Sequence, residues 1–235
     1  MLRKLYLLLV LIASSTAVVR AQYWMQRGGS LNVDEGLDVV VDDDGNSYAT
    51  GYFSGTADFG NTNLSSSGST DIFVAKLDED GEYLWAVKAG GSSTDRGLSI
   101  ALDDSNNVVI TGFFNGTASF GSTSLTAAGQ QDIFIAKYST GGSLQWATRA
   151  GGTDSDIGSG IAVDNSNNIV VSGEFKGSST FGTTTLTSQN ASTDVFITKL
   201  NPGGSFAWTQ QGSGDQTDRG IDVGCDGSGN IYTVG

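Results

Sequence analysis

Four aspartates recur at a nearly constant interval in this chain: Asp34, Asp95, Asp156 and Asp218, separated by 61, 61 and 62 residues. Each follows a glycine-containing turn, and two of them are followed by arginines, Arg96 and Arg219. Carboxylates repeated at such a period can be gathered around an axis. There they would hold a hard cation, calcium above all, and with the two arginines they would form a binding surface for a partner. The rival arrangement is local: a carboxylate beside a glycine-rich turn accepts that turn's own backbone N–H groups and needs no ion. The local arrangement is the expected one, so no cofactor is expected and calcium is the single ion candidate.

Other chemistry is sparse. The chain has no histidine, which excludes Ser-His-Asp and Cys-His nucleophiles and histidine-bound zinc. Its one cysteine, Cys225, cannot form an intrachain disulfide. Counting the repeat back puts Cys225 in the place of Val41, Leu102 and Val163, an apolar slot expected in the core. The run Asp42-Asp43-Asp44-Gly45-Asn46 invites a calcium loop, but such a loop needs glycine and glutamate where the chain has Ser47 and Phe53. Only its first aspartate and closing asparagine recur, as Asp103 and Asn107, Asp164 and Asn168, Asp226 and Asn230. That pair is the chemistry of a hairpin turn closed by Asx hydrogen bonds. Asp71 and Lys76, repeated at 132/137 and 194/199, sit at odd spacing on a strand and so face opposite ways; contacts to a neighbouring copy are expected. No glycine run leads into Lys-Ser/Thr, so there is no phosphate loop. Asn63, Asn115 and Asn190 head Asn-x-Ser/Thr triplets, which accept glycans only in a eukaryotic secretory route. The chain is not expected to be an enzyme.

The elements that would position these residues follow from the same period. Trp24, Trp85, Trp146 and Trp208 keep it, as do Gly51, Gly112, Gly173 and Gly235. A period of this size marks a modular array in which each copy buries its apolar faces against its neighbours. The second copy reads as four strands, 97–103, 107–114, 132–138 and 143–149, with a longer polar segment at 115–131 that contains Phe120-Gly121 and Leu125. Within 132–138, Phe134 and Ala136 point one way while Ile133 and Ile135 point the other. A small sheet with two apolar faces needs a neighbour on each side, and sheets stacked face to face around an axis supply one. The expected fold is all-β: a β-propeller built from four-stranded blades of about 61 residues, incomplete here at about three and a half blades.

Residues 1–21 read as a signal peptide, with a charged start at Arg3-Lys4, an apolar stretch from Leu5 to Ile12 and a cleavage site at Val19-Arg20-Ala21. Residues 22–235 then form the propeller. Residues 22–36 supply a closing strand and turn, 37–97 the first blade, 98–158 the second, 159–220 the third and 221–235 the start of a fourth. The opening residues Tyr23-Trp24 and Gly28-Gly29 match a fourth strand and its exit, the usual device for closing a propeller ring. Without the signal peptide, nine basic side chains face twenty-five acidic ones, a net charge of −16. Such a surface repels nucleic acid and anionic lipid. No later apolar run approaches membrane length, so no membrane insertion is expected once the signal peptide is gone.

The recurring order Asp-Ile/Val-Phe-x-x-Lys (71–76, 132–137, 194–199), then Gly, Trp, Gly-Gly and Asp, resembles the bacterial SBBP repeat of β-propellers. The Val-Asp-x-x-x-Asn-x-x-x-x-Gly stretch at 163–173 is similar to it as well. The resemblance spans residues 22–235 and implies a secreted or cell-surface bacterial propeller, often part of a longer polypeptide. It implies no catalytic residues. The functional expectation is an exported, non-enzymatic binding or scaffold module for protein or glycan partners. Its alternative is the accessory propeller of a larger secreted enzyme or adhesin whose active domain lies beyond residue 235. Open blade edges are expected to favour self-association.

Overall fold

The computed structural model describes residues 27–235. The expected signal peptide and the Tyr23-Trp24 pair lie outside the described residues. The described chain is all-β apart from one short 3-10 turn at Gln189–Ala191. The first blade runs through β1 (Glu35–Val41), β2 (Ser47–Phe53), a small hairpin of β3 (Thr56–Phe59) and β4 (Thr62–Ser65), then β5 (Asp71–Leu77) and β6 (Tyr83–Gly91). The second comprises β7 (Arg96–Leu102), β8 (Val108–Phe120), β9 (Thr123–Tyr138) and β10 (Leu144–Gly152). The third repeats the pattern of the first, as β11 (Ile157–Val163), β12 (Ile169–Lys176), β13 (Ser178–Phe181), β14 (Thr184–Thr187), β15 (Thr193–Leu200) and β16 (Phe206–Gly212). The hairpin of β17 (Asp222–Cys225) and β18 (Ile231–Val234) comes last.

Within each blade the four main strands pair antiparallel in chain order, as in β1-β2-β5-β6 and β11-β12-β15-β16. The first strands β1, β7, β11 and β17 follow one another side by side in the manner of propeller inner strands. The blades stack as the two-faced strand pattern requires. Phe134 and Ala136 join Ile72, Val74 and Ile110 in one core, whereas Ile133 and Ile135 join Ile161, Val171 and Phe196 in the next. Position matters more than residue type: Val39 is 62% exposed, while its counterparts Ile100 and Ile161, each covered by a preceding blade, are 5% exposed.

The polar segments between second and third strands are not plain loops. In every blade they fold into a hairpin: β3–β4, the joined ends of β8 and β9, and β13–β14. Each hairpin inserts one phenylalanine beneath the sheet, which gives the ring triads Phe53–Phe59–Phe73, Phe114–Phe120–Phe134 and Phe175–Phe181–Phe196. Centroid separations of 4.8–6.4 Å place these rings in favourable edge or tilted contact. Each hairpin also reaches back to the preceding blade. Gly90 pairs with Ser119 and Gly151 with Thr180, so the fourth strand of one blade is hydrogen-bonded to the hairpin of the next. Gly29 makes the equivalent bridge to Asp58. This clasp joins the first two blades and the third blade's hairpin into one continuous sheet.

Candidate functional site

The glycine exit of each fourth strand, the linker after it and the hairpin it clasps meet at one point, the blade junction, and there the repeated aspartates lie. Asp95 accepts the Gly91 N–H at Oδ2 (2.7 Å) and the Asn115 N–H at Oδ1 (3.0 Å). Asp156 accepts the Gly152 N–H at Oδ2 (2.7 Å), and the Lys176 N–H (3.1 Å) and Ser179 hydroxyl (2.6 Å) at Oδ1. Asp34 accepts the Ser30 N–H (2.5 Å) and hydroxyl (3.1 Å) and the Ser54 N–H (3.1 Å). Each of these carboxylates therefore ties the linker before its blade to the end of that blade's second strand. Asp218 keeps only part of the arrangement: its N–H donates to the Thr193 carbonyl at 2.8 Å, but its Oδ2 is buried without a hydrogen-bond partner.

The four aspartates stand one to a junction and do not converge, and among the described residues no three or more acidic, cysteine or histidine side chains gather as a metal set. Arg96 and Arg219 also turn to the scaffold. The Arg96 guanidinium lies 4.2 Å from the centre of the Tyr52 ring, whose hydroxyl donates to Glu35. Arg219 pairs with Glu174 at 3.1 Å. Both arginines thus bind a blade to the one before it. Cys225 is half-buried and lines an open cleft between the first strands with Val41, Leu102 and Val163; Leu102 and Val163 also pack against the blade cores as expected, whereas Val41 is exposed.

A second set of carboxylates lies at the opposite end of each blade. Asp42, Asp103, Asp164 and Asp226 close the first hairpin turn by accepting the side-chain and backbone N–H groups of Asn46, Asn107, Asn168 and Asn230. The lysines expected to reach neighbouring copies come here instead, within their own blade. Lys137 pairs with Asp103 at 2.8 Å and Lys199 with Asp164 at 2.7 Å, while Lys76 stays 4.0 Å from Asp42. In the first blade Tyr48 donates its hydroxyl to Asp42, and Lys76 rests over the same ring. Burial pushes the Asp103 carboxyl up, but the Lys137 ammonium and the Asn107 amide outweigh it and hold the group below the ordinary range.

Asp71, Asp132 and Asp194 lie in the third strands, β5, β9 and β15, and are fully buried. Their cationic or amide partners stand on the adjacent fourth strand: Lys88 at 3.2 Å, Arg149 at 2.5 Å and Gln211 at 2.7 Å. Tryptophan supplies the remaining link between blades. The Trp85 indole N–H donates to the Thr140 carbonyl at 3.0 Å and that of Trp146 to the Pro202 carbonyl at 3.1 Å, each in the last turn of the following blade. Gly142 and Gly204 lie against these indoles with φ of +80° and +86°, and a Cβ at either would stand within 2.9 Å of the ring. Glycine is needed there for both its backbone angle and its lack of side chain.

The stretch from β10 through the second junction into β12 carries Trp146, the glycine pair, Asp156 and Asp164 in their repeat order. Residues 145–174, which span that stretch, match the beta-propeller repeat model SBBP. The chain therefore contains an SBBP beta-propeller repeat. Among curated proteins it is 29% identical over 198 residues to an uncharacterized WD repeat-containing protein of Acanthamoeba polyphaga mimivirus, covering 70% of this chain and 14% of that protein. It is 25% identical over 113 residues to the regulatory protein FlaEY of Caulobacter vibrioides, covering 46% of this chain and 12% of that one. The chain spans only 12–14% of the length of these two curated relatives. Among solved structures, a protein of unknown function from Bacteroides caccae aligns with a TM-score of 0.41 at 8% identity, over 84% of this chain and 52% of that one.

Proposed function

We propose that the chain is an exported, non-enzymatic β-propeller that presents one face to protein or glycan partners at the bacterial cell surface. The observation that carries this reading is the division between buried and exposed polar groups. Aspartates, lysines and tryptophans that recur in each blade are consumed in hydrogen bonds within and between blades, so little reactive chemistry is left free for a substrate. Residues that differ between blades lie on the connecting segments, where a rigid scaffold displays them for recognition.

The two faces are chemically distinct. One is formed by the linkers 92–94, 153–155 and 213–217 with the neighbouring segments 66–70, 127–131 and 188–192. It is rich in serine, threonine and glutamine, and Asp154 and Asp215 are its charged residues. The opposite face bears Asp42, Asp43, Asp44, Asp78, Glu79, Asp80 and Glu82 on two neighbouring turns of the first blade. Neutral hydroxyl and amide groups suit the hydrogen-bonding surface of a glycan or an uncharged protein segment, and we assign the partner to that face. The acidic face disfavours nucleic acid. The reading includes no bound ion. Open apolar positions such as Val39, Val41, Ile221 and Val234 favour self-association of the isolated chain.

A glycan array and a panel of purified envelope proteins test the reading. Binding that is lost in Ser92→Glu and Gln130→Glu but kept in Asp44→Ser and Glu79→Ser supports it; the reverse pattern moves the site to the acidic face. N-terminal sequencing of secreted protein tests export, with Gln22 expected as the first residue. A second reading, the accessory propeller of a larger secreted enzyme or adhesin, is favoured by the small share of its relatives that the chain spans. Extending the coding sequence beyond Gly235 decides between a stand-alone module and that portion.

A further inference from the structure

Two of the blade junctions contain a feature that neither the turns nor the clasps explain. A Cβ at Gly90 or at Gly151 would stand in contact with two buried carboxylates at once. Asp71 Oδ1 and Asp95 Oδ2 are both 3.0 Å from the point where a Cβ of Gly90 would stand. Asp132 Oδ1 and Asp156 Oδ2 are both 2.9 Å from the same point at Gly151. All four aspartates are fully buried.

The hydrogen bonds around each pair are complete except at one place. Asp71 Oδ2 accepts the Ser67 N–H at 3.0 Å and the Lys88 ammonium at 3.2 Å; Asp132 Oδ2 accepts the Ala128 N–H at 3.0 Å and the Arg149 guanidinium at 2.5 Å. On the partner aspartates both oxygens are engaged by the N–H and hydroxyl donors of the linker and second strand. Asp71 Oδ1 and Asp132 Oδ1 are buried and have no donor. A buried carboxylate oxygen without a donor is costly, and a second carboxylate facing it makes ionisation of both more costly still.

The charged groups facing the first pair are the two carboxylates themselves and Lys88 from β6; those facing the second are its two carboxylates and Arg149 from β10. Each cation reaches only Oδ2 and leaves Oδ1 bare. From β8 and β12 come only the backbone N–H groups of Asn115 and Lys176, and from β13 the Ser179 hydroxyl. Arg96, next in the chain to Asp95, turns onto Tyr52.

We propose that each of these junctions holds one proton on its carboxylate pair, Asp71 with Asp95 and Asp132 with Asp156, so that the stack of blades tightens in mildly acidic surroundings and loosens at neutral pH. The proton leaves one negative charge opposite one cation. Burial, with the facing carboxylate adding to it, raises Asp95 and Asp156 to about 6, in keeping with the geometry. The sign follows from linkage: these groups bind a proton more tightly folded than unfolded. Their stabilising contribution is full below about pH 4, the ordinary aspartate value, and is lost as pH rises through about 6. The inference rests on the fold and is independent of what the exposed face binds.

Thermal melting of the full chain between about pH 4 and 8 tests it, with Asp71→Asn and Asp132→Asn combined. Asparagine can place a permanent N–H donor where Oδ1 stands and keep its oxygen for Ser67 or Ala128. The expected result is a neutral-pH melting temperature several degrees above that of the parent, at about 2–4 °C per kcal/mol for a chain of this size, with a flattened decline from about pH 5 to 7. An unchanged slope with a lower melting temperature overturns the proposal. Carboxyl-carbon NMR titration of the parent protein keeps it testable if the variant does not fold. Two aspartate carboxyls titrating near pH 6 are expected, and titration of every aspartate below about pH 5 overturns it. A neutral-pH rise in melting temperature on adding calcium, abolished by Asp71→Asn, would assign the gap to a metal ion and also overturn it.

Discussion

Asp103 and Asp95 stand at opposite ends of the second blade's first strand, both almost fully buried, yet their environments drive their protonation in opposite directions. Asp103 meets an ammonium, a side-chain amide and two backbone N–H groups of its own turn, and these outweigh the burial that would raise it. Asp95 meets two N–H groups and another carboxylate, and burial prevails. Low exposure alone therefore does not tell what a carboxylate does. The count and sign of the groups it faces decide, and in this chain that choice is made afresh at each end of each blade.

The largest break in this comparison is expected from crowding the junction. Gly151→Ala would set a methyl 2.7 Å from the Asp132 carboxyl carbon and 2.9 Å from Asp156 Oδ2, on a backbone with φ of +144°. A loss of about 2–4 kcal/mol in chemical denaturation is expected, since neither carboxylate has room to withdraw. A loss within about 0.5 kcal/mol would show that the junction is looser than described.

At the other end of the blade, Lys137→Met removes the ammonium from a buried aspartate, and a loss of about 2–3 kcal/mol at neutral pH is expected. The pH dependence sharpens the contrast. A carboxyl whose folded value is depressed stabilises above the ordinary aspartate range and loses that contribution as pH falls through the folded value. The difference between Lys137→Met and the parent should therefore shrink as pH drops below about 4, whereas the junction pairs weaken in the opposite direction. Denaturation midpoints at matched ionic strength on both sides of that range check it. Arg219→Ala should do least, because that side chain is 65% exposed; a loss below about 0.5 kcal/mol is expected, diminishing further in salt.

Much of this was legible in the residues themselves. The period, the two apolar faces of 132–138 and the Asp-to-Asn hairpin closures all reappear in the structure, because each depends on local alternation or on turns of a few residues. The β3–β4 and β13–β14 hairpins are hard to see, since residues 56–65 and 178–187 offer mostly small polar residues and glycine with isolated Leu64, Leu186, Phe59 and Phe181. Their strands are held by backbone pairing and one inserted ring, a weak pattern in composition. Lys76, Lys137 and Lys199 stay within their own blades because strand parity fixes the face of a side chain but not how far a long one reaches. The carboxylate pairs were missed although a signal existed. Asp71 and Asp95, Asp132 and Asp156, and Asp194 and Asp218 are all 24 residues apart, a second constant spacing that joins the third strand of one blade to the first strand of the next.

The clasp between a fourth strand and the following hairpin has a consequence for how such a chain can change length. Every junction takes half its parts from the end of one repeat and half from the start and middle of the next: a glycine exit, a tryptophan and Asp132 from one side, Asp156, Ser179 and the carbonyl of Pro202 from the other. An in-frame duplication or loss of one whole period, whatever its breakpoints, regenerates a complete junction. A change of any other length leaves one half without its counterpart. Unequal crossing-over between repeats can therefore add or remove blades without inventing a new contact.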